Sequence, residues 1–270
     1  MMLQRVLIIM IILSASYYAS AQRSFELGLF GGGSYYVGDL NPYKHFIQTD
    51  VAYGALLRYH INPRWAVKAS VSRGNLLGDD EVTGANAGRQ LSFESSLTDV
   101  SAILELNFLD YITGSTRDIM APYIFAGVSF FTFNPRAGGV DLNEIGTEGQ
   151  HTGYDGREPY DLYGFAIPFG FGFKYSINKR LGLGLEWGMR KTFTDYLDDV
   201  STTYYLDAEQ IDPDNPAQVL SDPALSHKPG MQRGDPKTND WYNFTGISLT
   251  YKFNLFKRYR CVDYGVRRKY

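Results

Sequence analysis

The chain has a single cysteine, Cys261, in 270 residues, and only four histidines. An internal disulfide is therefore impossible, and a cysteine-based zinc site is excluded with it. Charge of neither sign dominates: 26 Lys and Arg face 29 Asp and Glu, a formal net charge of −3. That balance excludes a strongly basic nucleic-acid binder, and 44% hydrophobic residues exclude a disordered tail. No apolar run reaches the roughly 20 residues that a membrane helix needs. What the chain has in excess is glycine and aromatics, with 28 Gly, 21 Tyr and 17 Phe. Helix-rich chains lean on Ala, Leu, Glu and Lys instead, so the bias is toward β structure.

The N-terminus reads as a targeting segment. Arg5 precedes the apolar run Val6 to Leu13, and Ala19-Ser20-Ala21 supplies the small residues that a signal peptidase reads. Residues 1–21 are thus expected to be a signal peptide, with the mature chain starting at Gln22. No Cys lies near the cleavage point, so no lipid anchor is expected.

The remainder alternates with period two. From Leu181 to Met189 the odd positions are Leu181, Leu183, Leu185, Trp187 and Met189, set against Gly182, Gly184, Glu186 and Gly188. This is a strand with one apolar face. From Tyr163 to Tyr175 the odd positions are all aromatic or Ile, and Ile247, Leu249, Tyr251 and Phe253 repeat the pattern. Segments near 24–36, 49–60, 65–76, 93–108 and 121–133 bring the count to eight. In 121–133 both faces are apolar, so the strand is assigned but its facing is not. Short connections at 61–64, 109–120 and 178–180 alternate with long ones at roughly 37–48, 77–92, 134–158 and 194–240. Short turns on one side and long polar loops on the other are the plan of an all-β, eight-stranded, antiparallel, up-and-down transmembrane β-barrel spanning residues 22–253.

A soluble barrel would show the same alternation turned inside out, and volume decides between the two. An eight-stranded barrel has an interior just wide enough for its side chains, so five or more large residues from each of several strands would overfill it. The aromatics are therefore expected outside, against outer-membrane lipid. The opposite face carries Glu26, Asp99, Glu105 and Glu186 with Arg58, Lys68, Lys174, Arg190 and Lys252. Unpaired buried charge is very costly, so this near-balanced set is expected to form a lumen ion-pair network that plugs the barrel against conductance.

Nothing in the pattern assigns catalysis. His45, His151 and His227 fall in long loops and His60 at the short-turn end of its strand, none in a nucleophile motif. The expectation is a protein that is not an enzyme, with no cofactor, no metal, no nucleic-acid partner and no small-molecule substrate. The acids Asp195, Asp198 and Asp199 match no EF-hand spacing and read as a solvated or locally hydrogen-bonded cluster.

Two regions exceed what a simple barrel needs. The stretch Thr194 to Asp240 carries ten acids and three bases, net −7. The tail 254–270 carries Lys257, Arg258, Arg260, Arg267, Arg268 and Lys269 against Asp263, net +5 before the terminal carboxylate. It leaves the last strand on the short-turn side, which in such barrels is periplasmic, and Arg and Lys interleaved with Tyr suit an acidic partner. Lys257, Arg258, Arg260, Cys261, Arg267, Arg268 and Lys269 are accordingly the candidate partner-binding residues.

Three blocks carry a family resemblance: Gly32-Gly33-Ser34-Tyr35-Tyr36-Val37-Gly38-Asp39-Leu40-Asn41-Pro42, Arg190-Lys191-Thr192-Phe193-Thr194-Asp195-Tyr196-Leu197-Asp198-Asp199-Val200-Ser201, and the basic tail with Cys261. Together they resemble the PorG family, small outer-membrane barrels of the type IX secretion system. The resemblance implies a non-enzymatic structural subunit of a protein secretion machine, tying a periplasmic ring of PorK and PorN type to the outer membrane. It carries over no catalytic residue. The residues themselves leave open a general membrane-integrity or adhesion barrel, and a lipid-modifying enzyme.

Overall fold

A computed structural model describes residues 24–253. Eight long strands form the wall: β1 Ser24–Val37, β2 Asp50–His60, β3 Trp65–Asp79, β4 Ser92–Asn107, β5 Met120–Thr132, β8 Tyr163–Ser176, β9 Leu181–Thr192 and β10 Trp241–Phe253. The short β6 Pro135–Ala137 and β7 Val140–Asp141, not expected from the sequence, extend the β4 edge inside one loop. Every long strand pairs antiparallel with its sequence neighbour, and β1 pairs with β10 from Phe25↔Phe253 to Val37↔Trp241. The sheet is thus a closed, up-and-down, eight-stranded barrel with no free wall edge. Strands of 11 to 16 residues are long enough to cross a bilayer at a tilt. The proposed signal peptide and the basic tail, with Cys261, lie outside the described residues.

Short turns 61–64, 108–119 and 177–180 gather at one end with the first and last strand ends; loops 38–49, 80–91, 133–162 and 193–240 gather at the other. In the β2–β3 turn the Asn62 side chain accepts from the backbone N–H of Arg64 and Trp65, both at 2.8 Å. Asn178 does the same for Arg180 and Leu181 between β8 and β9. These Asx turns explain why so few residues reverse the chain.

The wall's outer face is apolar. Tyr163, Phe165, Ile167, Phe169, Phe171, Phe173 and Tyr175 are all exposed, as are Leu183, Leu185, Ile247, Leu249 and Tyr251. The ambiguous β5 resolves with Ile124, Val128 and Phe130 outside and Tyr123, Phe125 and Phe131 inside. An apolar exterior around a charged interior is the inverse of a soluble barrel and the order of one that sits in lipid.

The expectation that the aromatics point outward is corrected for part of the set. Tyr36, Phe93, Tyr123, Phe125, Phe131, Tyr242 and Phe244 point inward and are buried. Room for them comes from inward glycines on nearby strands: a Cβ on Gly170 of β8 would lie 2.8 Å from the Phe125 ring and one on Gly188 of β9 2.9 Å from it, one on Gly172 2.6 Å from Tyr123, and one on Gly78 2.4 Å from Phe93. The lumen volume is therefore shared between empty and full positions, and counting large residues strand by strand overstates the filling. Toward the loop end Tyr36, Phe93, Phe131, Tyr242 and Phe244 join Leu40, Leu76, Leu97, Leu142, Leu197 and Val200 in an apolar core that continues into the loops, while Tyr123 and Phe125 pack separately with Ile103.

One outward stripe is not lipid-facing either. Tyr35 and Met189 sit at outward positions yet are buried, because loop 38–49 folds back over the wall. Trp187 Nε1 donates to Tyr35 Oη at 3.1 Å, and that hydroxyl lies 3.1 Å from His45 Nδ1.

Candidate functional site

Toward the turn end the lumen holds one connected charge network. Glu105 on β4 is fully buried and receives Arg58 Nε at 2.8 Å and Lys174 Nζ at 2.6 Å, with Lys68 Nζ at 3.7 Å. Arg58 reaches across to Glu26 at 3.0 Å, and Lys68 to Glu186 at 2.5 Å. Tyr123 Oη donates to the same Glu186 oxygen at 2.8 Å, and Lys174 Nζ also donates to Asn107 at 2.9 Å. Three acids and three bases thus satisfy one another with fixed neutral partners, which is the condition under which buried charge is tolerated.

The other three expected members stand apart. Asp99 accepts from Tyr242 Oη at 2.7 Å and from Ser101, higher in the barrel. Arg190 lies over the Phe244 ring at 4.8 Å and donates to the Gly188 carbonyl, and among the described residues it makes no ion pair. Lys252 donates to the Thr113 carbonyl. The nine residues share a face, as alternation required, but position along the strand separates them, so the single nine-member network is corrected to six. Sequence reasoning missed Thr113, which donates to Glu26 from a turn that folds up into the barrel. It missed His60 as well, whose Nε2 lies 3.1 Å from Glu26 in poor hydrogen-bond alignment. Beside Lys68, Glu186 and Arg190 the lumen retains a gap of about 20 Å³, room for roughly one water.

The loop end is closed by structured loops. Asn41, in the Gly38-Asp39-Leu40-Asn41-Pro42 block, donates to the carbonyls of Tyr36 and Lys44, both at 2.8 Å, and staples the first loop to the rim. Arg89 in the second loop is bidentate to Asp80 at 2.8 and 2.7 Å and donates to the carbonyls of Asp39 and Arg233. Arg233 in the fourth loop donates to Glu148 at 3.1 Å and to the Asp199 carbonyl at 2.6 Å. Two buried guanidiniums therefore tie all four loops together, because each presents several donors in a rigid fork.

The acids Asp195, Asp198 and Asp199 are buried, not solvated. Asp198 Oδ2 and Asp240 Oδ1 lie 2.5 and 2.9 Å from Tyr36 Oη, and Asp199 accepts from Tyr160 at 2.6 Å and from Thr147. Burial pushes the Asp199 carboxyl up to about 6, tempered by Arg233. Burial likewise pushes Asp195 up to about 8, reinforced by Asp39 and Glu148, and its two oxygens have no hydrogen-bond partner among the described residues. Asp198 and Asp199 order the start of the long loop through Tyr36, Tyr160 and Thr147, all remote in sequence. Among the described residues no group of three acids or imidazoles is arranged to hold a metal ion.

The histidines form no relay. His151 Nε2 lies 3.0 Å from the Asn143 carbonyl. His227 has Asp222 Oδ1 at 2.7 Å and Ser226 Oγ at 3.4 Å on the same Nδ1. A nucleophile–base–acid relay needs the two partners on opposite ring nitrogens, so this trio is not one.

Comparison with solved structures returns small barrels of low sequence identity. Ail, the attachment invasion locus protein of Yersinia pestis, aligns at 9% identity and TM-score 0.42, over 86% of this chain and 99% of its own. Neisserial surface protein A aligns at 11% and 0.45, over 85% and 97%. The N-terminal barrel domain of Pseudomonas aeruginosa OprF aligns at 13% and 0.39, over 87% and 100%. No curated protein matches the sequence. One family model matches residues 4–262, nearly the whole chain, and the protein therefore belongs to the family described as the domain of unknown function DUF6089.

Proposed function

We propose that this protein is a non-enzymatic structural barrel of the outer membrane and a subunit of a type IX secretion machine. The observation that carries the membrane reading is the exposed aromatic belt around a closed barrel whose charges point inward. In that setting the lumen network and the loop-end core act as a plug, and the loops 38–49, 80–91, 133–162 and 193–240 face the cell exterior.

The secretion reading rests on the resemblance of the Gly38–Pro42 and Asp195–Ser201 blocks to the PorG family, together with the charge of the turn end. Arg64, Arg117, Lys179 and Arg180 are exposed there, with Asp110 and Asp118 as the acids nearby in sequence. The strand that leads into residues 254–270 ends on the same side. The basic tail then adds to a basic rim, and an acidic face of a periplasmic ring of PorK and PorN type complements both. A general adhesion barrel is the second reading, supported by the pre-organised loop cap.

Deleting residues 254–270 separates the two. The secretion reading expects a barrel that still folds and still resists heat in detergent, in cells that no longer export type IX cargo. A folded, truncated barrel in cells with unchanged export would reject the tail's role and favour adhesion.

A further inference from the structure

The loop cap leaves a cleft of about 690 Å³ between the first, second and fourth loops. That volume lies in the range of small-molecule sites. Its floor is fixed by Arg89 and Arg233: Arg89 donates to Asp80 and to the carbonyls of Asp39 and Arg233, Arg233 donates through Nε and Nη1 to Glu148 and to the carbonyls of Ser221 and Asp199, and Arg233 Nη2 lies 3.9 Å from Asp199 Oδ2, so both charges are balanced by buried acids. The two guanidiniums therefore shape the cleft without offering it a free cationic fork.

What the cleft does offer is acceptors and two-way amides. Asp39 spends one oxygen on the Asp235 N–H at 2.9 Å, and Asp235 spends one on the Lys237 N–H at 3.2 Å, leaving each with a second. Among the described residues the side-chain amides of Asn86 and Asn239 have no hydrogen-bond partner, and Tyr43 and Trp241 add ring surface. Two carboxylates repel a phosphate or sulfate, and among the described residues no three acids converge to hold a metal ion. A ligand rich in hydroxyl donors, without negative charge and with flat C–H faces for the rings, satisfies all of these groups at once. We propose that the cleft binds a neutral saccharide, its hydroxyls donating to Asp39 and Asp235, exchanging hydrogen bonds with Asn86 and Asn239, and its sugar faces packing on Tyr43 and Trp241. This stands on the loop geometry and not on the secretion reading.

Calorimetric titration of the full-length protein in detergent tests it, with maltotriose and triacetylchitotriose as separate probes. The expected result is saturable binding of at least one sugar, weakened about tenfold or more by the paired substitutions Asn86→Ala and Asn239→Ala, as the loss of two hydrogen bonds implies. Neither amide holds the loops, so the thermal unfolding of the double variant should match wild type. Absence of saturable heat with either sugar at about 10 mM, a range that captures even weak millimolar sites, would overturn the proposal. Equal affinity in the double variant, or preference for a sulfated disaccharide or for calcium chloride, would overturn it as well.

Discussion

Replacing Glu105 by Gln keeps the shape of the residue that joins the lumen network and removes its charge. Arg58 Nε at 2.8 Å and Lys174 Nζ at 2.6 Å would then face a neutral carbonyl, with Lys68 at 3.7 Å losing its second acid. Three bases would be left against Glu26 and Glu186. Two charge-assisted bonds of about 1.5–3 kcal/mol each become neutral or are lost, and breaking a buried pair from one side costs about 3–5 kcal/mol. The expected destabilisation is therefore about 3–5 kcal/mol, read by urea titration of the barrel folded into phospholipid vesicles and by heat-modifiable gel mobility. Adding Lys174→Met removes the stranded cation and should recover part of the loss, so the two substitutions should be non-additive. A Glu105→Gln barrel within about 1 kcal/mol of wild type would refute the network as a stabilising unit, since buried pairs broken from one side cost several times that.

Leu185→Arg places a charge on an outward position that is 56% exposed, and near the bilayer midplane it should cost about 2–4 kcal/mol in the same vesicle titration; an unchanged midpoint would move this face out of lipid. Gly188→Val drives a side chain against the Phe125 ring, whose nearest atom would lie 2.9 Å from the new Cβ, and overpacking of this kind costs about 1–3 kcal/mol; Phe125→Leu in that background should restore most of it. Asp195 is pushed up to about 8 and Asp199 to about 6 in the folded loop, against about 3.9 in an unfolded chain, so the folded loop holds protons that the unfolded one releases. Loop stability is then greatest below the unfolded range and falls as pH rises through about 6 and about 8. Limited proteolysis of the long loop should accelerate from pH 5 to pH 8.5, and Asp195→Asn should flatten the upper part of that profile.

The wall of this barrel was readable from periodicity because each strand has one face in an apolar medium. In β8 and β9 the alternate positions are small or charged, mostly Gly with Ala166, Pro168, Lys174, Ser176, Glu186, Arg190 and Thr192, and the facing follows from that alternation. In β5 both faces are apolar, since Tyr123 and Phe131 fill space left by Gly172 and Gly164, their register partners on β8, and Phe125 fills space left by Gly170 and Gly188 on β8 and β9; a glycine on another strand leaves no signature in the β5 sequence itself. The charged positions were legible as a face but not as a network, because their height along the barrel depends on strand stagger. It sets Arg190 beside Phe244 rather than beside an acid. The loop cap was the least legible part. Arg89 and Arg233 act through carbonyls far from them in sequence, and Asp195, Asp198 and Asp199 look solvated until the loops are folded over them.

The most direct test uses the lone cysteine. A photo-crosslinker attached at Cys261 in native envelopes reports what the basic tail touches while the barrel remains in the membrane. The account predicts capture of a discrete, ring-forming periplasmic lipoprotein or its partner, lost when the tail's Lys and Arg residues are neutralised. A folded barrel that captures nothing above background would contradict it, and would move the search for a working surface to the loops on the opposite side.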